Sequence, residues 1–107
     1  MLALTNYKYM NAKAELNIKQ VEFDNIQKAY DAASDAVSDY KDNHEKLNLK
    51  DNPVEYKYYL NLKAQEDKLE RDKDRLEEDV TLLEEDMKAF KDLLKDENKE
   101  ATDIKLS

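Results

Sequence analysis

The sequence contains no glycine, no cysteine and no tryptophan, and only one proline and one histidine in 107 residues. Tight β-hairpin turns and phosphate-binding loops use glycine because it adopts positive φ angles, so its absence argues against a β-rich or nucleotide-binding fold. Without cysteine the chain forms neither disulfides nor thiolate-ligated metal sites. A single histidine excludes a multi-histidine metal site within one chain. We therefore expect no metal, no cofactor and no enzymatic activity.

Charged residues make up 41% of the chain, and the formal net charge is −8 at pH 7. This composition is typical of long helices. An acidic chain is repelled by nucleic-acid phosphates and by anionic lipid surfaces, so we expect neither as a partner. No apolar run is long enough to span a membrane, and the first residues do not resemble a secretory signal peptide. We expect a cytoplasmic protein, with secretion by a signal-peptide-independent route as the alternative.

Apolar residues recur every seven residues in two long segments, which predicts an all-α coiled coil. The seam positions a and d of the first segment are Leu2, Tyr9, Leu16, Phe23, Tyr30, Val37 and His44 at a, and Thr5, Ala12, Lys19, Ile26, Ala33, Tyr40 and Leu47 at d. Those of the second segment are Tyr59, Glu66, Lys73, Val80, Met87, Leu94 and Ala101 at a, and Leu62, Leu69, Leu76, Leu83, Phe90 and Ile104 at d.

The segment between the two patterns ends one helix and starts the next. Pro53 has no amide hydrogen and disfavours helical geometry at Asn52, so no helix passes through this dipeptide. Asn52 is a suitable N-cap, Pro53 suits the first helical position, and the Glu55 carboxylate is placed to reach back to the Asn52 amide. The predicted elements of a single domain, 1–107, are helix 1 over about 2–47, a turn over about 48–52, helix 2 over about 53–97 and a frayed tail over 98–107.

A short turn between arms of similar length predicts an antiparallel two-helix coiled-coil hairpin, in which residues i and j face each other where i + j is about 101. This register places Ala12 opposite Phe90 and Ala33 opposite Leu69, so small residues meet large ones, as dense packing requires. By architecture the chain resembles the hairpin stalk proteins of bacterial flagellar and type III export ATPases. In length it also resembles the small secreted WXG-type hairpins, but it has no Trp and no Gly for their turn motif.

A second set of apolar residues lies outside the seam, near the chain ends. Its members are Tyr7, Met10, Ala14, Ile18 and Val21 on helix 1 and Leu82, Ala89 and Leu93 on helix 2. A two-helix hairpin has one seam to bury, so these residues are a candidate interface for a second copy of the chain or for a partner helix. Two paired hairpins would form a four-helix bundle at the terminal end. The alternative is a widened seam with singly exposed aliphatic side chains.

A tyrosine-rich cluster marks the other end of the predicted hairpin. Tyr56, Tyr58, Tyr59 and Leu60 lie together in the first turns of helix 2. Tyrosine is enriched in protein interfaces, which makes this tip a candidate binding surface. Such a cluster more often seals the end of a hairpin, and both interpretations stay open.

These features predict a non-enzymatic coiled-coil protein–protein interaction module, that is, an assembly, adaptor or chaperone-like element, for example of a secretion or export apparatus. One alternative is a secreted or structural component such as an export substrate or a phage scaffold-type protein. Another is a regulatory subunit of an enzyme. The excess of lysine over arginine favours a microbial or phage source, since Arg71 and Arg75 are the only arginines.

Overall fold

The protein consists of two long helices joined by a short turn. The computed structural model describes residues 2–106 and, among these, the side chains of residues 2–99. Helix α1 (Leu2–Asn43) is followed by a 3-10 helix (Leu49–Asp51) and by helix α2 (Pro53–Leu106). No β-strand occurs within residues 2–106. The fold is therefore the all-α helical hairpin that the heptad pattern predicts.

Helix α1 ends at Asn43, about four residues earlier than the sequence predicts. The amide of His44 is shared between the carbonyl oxygens of Tyr40, at 3.1 Å, and Lys41, at 3.2 Å. One N–H shared between the i−4 and i−3 carbonyls is a common feature of helix ends. The amide of Leu47 then donates to the carbonyl of His44 at 3.0 Å, which turns the chain out of the helix.

Helix α2 begins at Pro53 and continues through Leu106. The predicted frayed tail, 98–107, is thus helical over 98–106, while Ser107 lies outside the described residues. The tail lacks a clear apolar pattern, but it contains no glycine or proline, and half of its ten residues are lysine, glutamate, alanine or leucine, which favour the helical backbone. The apolar pattern shows which residues pack against the other helix, and a helix can continue beyond its packed part. The loss of the pattern therefore did not predict the end of α2.

Packing divides the chain into two compact units. The terminal unit consists of Met1–Val21 and Glu77–Ser107, and the turn unit consists of Glu22–Leu76. The heptad pattern continues through both boundaries without interruption, and the sequence alone therefore predicts a single domain.

In the terminal unit the predicted seam is the packed face. Thr5, Ala12 and Leu16 of α1 are 8%, 7% and 6% exposed. The seam residues that they face on α2 are half-buried, namely Val80, Leu83, Met87, Phe90 and Leu94. The hydroxyl of Thr5 donates to Oε1 of Glu97 at 2.7 Å, a pairing whose residue numbers add to 102. The predicted register is therefore met at this end of α1.

In the turn unit the same seam contains polar residues. Val37 and Glu66 are 5% and 7% exposed. The ammonium group of Lys73 lies 4.5 Å from the centre of the Tyr30 ring, so a lysine at a seam position is accommodated by a cation–π contact. This pair and the Lys41–Tyr59 pair, at 5.5 Å, both lie within two of the predicted sum of 101.

Candidate protein–protein interface

The apolar residues outside the seam form two exposed strips, both within the terminal unit. We name Tyr7, Met10, Ala14, Ile18 and Val21 the α1 strip, and Leu82, Ala89 and Leu93 the α2 strip. Successive members of the α1 strip are three or four residues apart, and residues with this spacing lie on one face of a helix. The α1 strip is therefore a continuous line of side chains along α1.

Side chains of both strips are largely exposed to solvent. The exposed fraction is 64% for Tyr7, 54% for Met10, 59% for Ile18 and 60% for Val21. In the α2 strip, Leu82 is 53% exposed and Leu93 is 48% exposed. Ala14 and Ala89 are exposed as well. Their exposure is compatible with both interpretations, a surface that another molecule covers and singly exposed aliphatic side chains beside the seam.

The polar environment of the terminal unit centres on Thr5 and Glu97, which face each other across the two helices. The hydrogen bond from the Thr5 hydroxyl is the main cause that lowers the pKa of the Glu97 carboxyl. Close by, a surface pocket of about 400 Å³ is lined by Leu2, Ala3, Asn6, Leu94 and Asn98. Its walls are aliphatic and amide groups, with no ionisable side chain among them, so it offers packing surface and no reactive group.

The tip of the turn unit is organised by Tyr40 of α1. Its ring stacks on His44, with centroids 4.0 Å apart, and contacts Tyr58 at 5.0 Å and Tyr59 at 6.5 Å. Its hydroxyl donates to the carbonyl of Glu55 at 3.0 Å. Burial raises the pKa of the Tyr40 phenol, and the Glu55 carboxylate adds to this effect. The sequence analysis did not predict that Tyr40 organises the tip. Its seam position in the last turns of α1, close to the tyrosines of α2 in the predicted register, could have indicated it.

The four residues predicted as a tip surface divide into two kinds. Tyr56 and Tyr59 are half-buried and line a pocket of about 360 Å³. Tyr58 and Leu60 are 55% and 45% exposed. The rings of Tyr58 and Tyr59 contact Tyr40, whereas Leu60 is among the exposed side chains.

The turn is held by hydrogen bonds that differ in part from the predicted capping box. The carbonyl of Asn52, the residue before Pro53, accepts from the amide of Tyr56 at 2.9 Å, as an N-cap carbonyl does. The amide of Asn52, however, donates to the carbonyl of Leu49 at 3.1 Å. The predicted bond from this amide to the Glu55 carboxylate is therefore wrong, because the 3-10 helix already uses the donor.

Asn48 provides the side-chain cap at the turn. Its Oδ1 accepts from the amide of Lys50 at 3.2 Å, and its Nδ2 donates to Asp51 at 2.8 Å. The side chain of Asn52 donates back to the carbonyl of Asn48 at 2.7 Å. Because the capped element is the short 3-10 helix, sequence rules for α-helix N-termini pointed to Asn52 alone.

A buried carboxylate lies in the seam of the turn unit. Lys63, one turn before Glu66 on the same helix, donates to Glu66 Oε1 and lies 3.6 Å from Asp67. The bond from Lys63 is the main cause that lowers the pKa of Glu66, and the Ser34 hydroxyl on α1 adds to it. Lys63 also makes the charge of Glu66 compatible with burial, since a buried charge needs a hydrogen-bonded partner.

None of these clusters has the composition of a metal centre. Among the described residues there is no group of three or more histidine, cysteine, aspartate or glutamate side chains that could hold a metal ion. Neither of the helices, over its described residues, has an apolar stretch that could cross a membrane. Comparisons with protein-family models, with curated proteins and with solved structures give no match.

Proposed function

We propose that the protein is a non-enzymatic protein–protein interaction module, an assembly element that joins copies of itself through the α1 strip and the α2 strip. The observation that carries this proposal is the exposure of the strips, whose large side chains are 48–64% exposed. Scattered single exposed hydrophobics are normal on a protein surface. A continuous line along one face of a helix is typical of a surface that packs on another helix.

Burying the strips in an interface would contribute a favourable hydrophobic free energy to association. Full burial of one valine, leucine, isoleucine or methionine side chain stabilises by about 1.5–3 kcal/mol. The strips hold five such side chains, Met10, Ile18, Val21, Leu82 and Leu93, together with Tyr7. A second copy would cover them in a four-helix bundle, the arrangement in which paired hairpins bury both faces of their helices.

The test compares the wild-type protein with an Ile18→Asp, Val21→Asp variant by light scattering and sedimentation. Each aspartate places a charge where the proposal requires an apolar contact, so we expect dissociation to a monomer, with an increase in Kd of at least about a hundredfold. The matched control is Gln20→Asp, Thr81→Asp, which adds the same charge at exposed positions outside both strips.

We expect the control variant to associate as the wild type does. A wild-type protein that stays monomeric at high micromolar concentration contradicts the proposal. Equal association of the aspartate variant and the wild type contradicts it as well, because the strips would then not be the contact surface.

A further inference from the structure

The α2 strip is bordered by carboxylates alone. Residues three and four positions apart are neighbours on a helix surface. Every polar residue at these distances from Leu82, Ala89 or Leu93 is an aspartate or a glutamate. The exposed members of this acidic border are Glu78, Glu85, Asp86, Asp92 and Asp96. A molecule that packs on the α2 strip therefore meets negative charge beside the apolar side chains.

The net charge of α2 does not by itself produce this border, because the charges are sorted around the helix. Residues 77–99 contain nine acidic residues and four lysines. Seven of the nine acidic residues border the α2 strip, whereas none of the four lysines does. Glu77 and Glu84 are the two acidic residues that lie elsewhere. Apolar side chains and negative charges thus share one face of α2, and the lysines lie on another.

The strips of a second copy supply apolar side chains for this face but little positive charge. The α1 strip borders one lysine, Lys13, and three carboxylates, Glu15, Glu22 and Asp24. The α2 strip borders no basic residue at three or four positions. Like charges that face each other at a contact are unfavourable. A partner with lysine or arginine beside its apolar side chains therefore fits the acidic border better than a second copy does.

The spacing of the α2 strip indicates the shape of such a partner. Leu82, Ala89 and Leu93 are seven and four residues apart, which is the spacing of a seam that packs on another helix. At about 1.5 Å per residue the strip spans roughly 16 Å, or about three turns of a partner helix. Nucleic acids and anionic membranes are repelled by the same acidic border. An amphipathic helix with basic residues beside its apolar face matches the strip in length, polarity and charge.

We infer that the α2 strip binds a basic amphipathic helix of a partner protein. The apolar residues of that helix pack on Leu82, Ala89 and Leu93, and its lysines or arginines lie against the acidic border. This inference goes beyond the proposed function and does not depend on self-association. The two are linked at one point, because a basic helix and a second copy cannot occupy the α2 strip together. Binding of the basic partner therefore releases a second copy from this strip.

A leucine–lysine peptide of about 18 residues serves as the probe, because a helix of that length spans the strip. Its leucines follow the heptad spacing and form one face. A leucine–glutamate peptide with the same pattern reverses the charge, and a scrambled leucine–lysine peptide keeps the charge but has no apolar face. Titration of each labelled peptide with the protein, followed by fluorescence anisotropy, measures Kd. We expect the leucine–lysine peptide to bind at least about tenfold more tightly than either control peptide.

Two pairs of substitutions locate the peptide on α2. The border variant carries Glu78→Gln and Glu85→Gln, and its matched control carries Glu77→Gln and Glu84→Gln. All four positions are exposed, and each pair removes two negative charges seven residues apart. We expect the border variant to raise the Kd of the leucine–lysine peptide about three- to tenfold, because each glutamine removes an exposed ion pair with the peptide. The matched control should change this Kd less than about twofold, since its residues do not border the strip.

The apolar contact is tested by Leu82→Gln with Leu93→Gln, which should raise the Kd of the peptide at least about tenfold. Circular dichroism of each variant checks that its helix content equals that of the wild type. Sedimentation of each variant without peptide measures its self-association, which corrects the Kd for competition at the strip.

Three results would overturn the inference. If the border variant and its matched control weaken binding equally, the peptide responds to net charge alone. If the scrambled peptide binds as tightly as the leucine–lysine peptide, no apolar face is recognised. If the leucine–glutamate peptide binds as tightly, charge does not select the partner. A monomeric wild type that binds the leucine–lysine peptide in the expected order of variants contradicts the proposed function alone. A wild type that self-associates but does not bind the peptide contradicts this inference alone.

Discussion

The turn unit and the terminal unit share one heptad pattern, but they differ in their side-chain contacts and in the number of large hydrophobic side chains that they expose. In the turn unit, Tyr40 contacts the rings of His44, Tyr58 and Tyr59, and a lysine and a carboxylate in the seam have partners within the unit. The terminal unit holds eight of the twelve large exposed hydrophobic side chains among residues 2–99. Exposed large hydrophobic side chains are thus more numerous in the terminal unit, where the proposed contact between copies lies, than in the turn unit, which has Leu47, Val54, Tyr58 and Leu60.

Polar residues buried in the seam occur in both units. Polar groups buried in a seam fix register in some systems at a cost in stability. Glu66 in the turn unit and Thr5 in the terminal unit are such groups, and Lys73 in the turn unit is half-buried. In the terminal unit the charges that could select a partner lie at the borders of the strips, where they remain exposed. Both units thus have a polar group buried in the seam, and the terminal unit also carries the proposed contact between copies.

The largest expected effect is that amide hydrogens of the terminal unit lose protection from exchange with solvent when the protein is diluted. If a second copy covers the strips, dilution far below Kd removes that stabilisation from residues 2–21 and 77–99. Their amide hydrogen exchange should then accelerate at least about tenfold, while exchange in residues 22–76 changes little. Hydrogen exchange followed by mass spectrometry at two protein concentrations measures this. Equal acceleration in both units, or none in either, would remove the distinction between them.

The seam was predictable because burial imposes a period on the sequence. Residues such as Thr5 and Leu16 were assigned by position, and the structure buries both. Pro53 was predictable as the start of a helix, because proline lacks the amide hydrogen that a residue inside a helix donates but is well tolerated at the first helical position. The residues of the two strips were predictable from their spacing in the sequence. Their solvent exposure depends on the width of the packed seam, which is known only from the structure.

Other features depend on contacts that periodicity does not encode. The end of α1 at Asn43 depends on how the His44 amide shares two carbonyls. The role of Tyr40 depends on several rings meeting at the tip. The partner of Glu66 was recognisable in principle, since Lys63 precedes it by three residues, but the same spacing also joins Lys19 to Glu22 and Lys28 to Asp31, so spacing alone does not single out the buried pair. The division into two units has no signal in the sequence at Val21 or Glu22.

A smaller effect is expected from Glu66→Gln, and it should be confined to the turn unit. The pKa of Glu66 is lowered in the folded protein, chiefly by the bond from Lys63. A lowered carboxyl pKa contributes stability above the unfolded value of 4.5, and that stability is lost as pH falls through the folded pKa. Wild-type protein should therefore lose stability on acidification more steeply than the Gln variant. Urea denaturation between pH 7 and pH 3, followed by circular dichroism, measures the difference.

The matched control for this experiment is Glu70→Gln, an exposed position on α2 in the same unit. It should keep the wild-type dependence on pH. Identical pH profiles for the Glu66→Gln variant and the wild type would show that the buried carboxylate is not a source of acid sensitivity. A change at residues 2–21, measured by hydrogen exchange, would show that the effect is not confined to the turn unit.

The smallest expected effect distinguishes two roles for Asn52 at the turn. Its Nδ2 donates to the carbonyl of Asn48, so the side chain acts here as a hydrogen-bond donor. A single hydrogen bond of this kind contributes about 0.5–1.5 kcal/mol, and Asn52→Ala should lower the free energy of unfolding by that amount. Asn52→Asp is the informative variant, because aspartate caps helices as well as asparagine does but cannot donate from its carboxylate. If the donor role dominates, Asp costs as much as Ala. If the Asp variant keeps wild-type stability in urea denaturation, the side chain caps α2, and the bond to Asn48 contributes little.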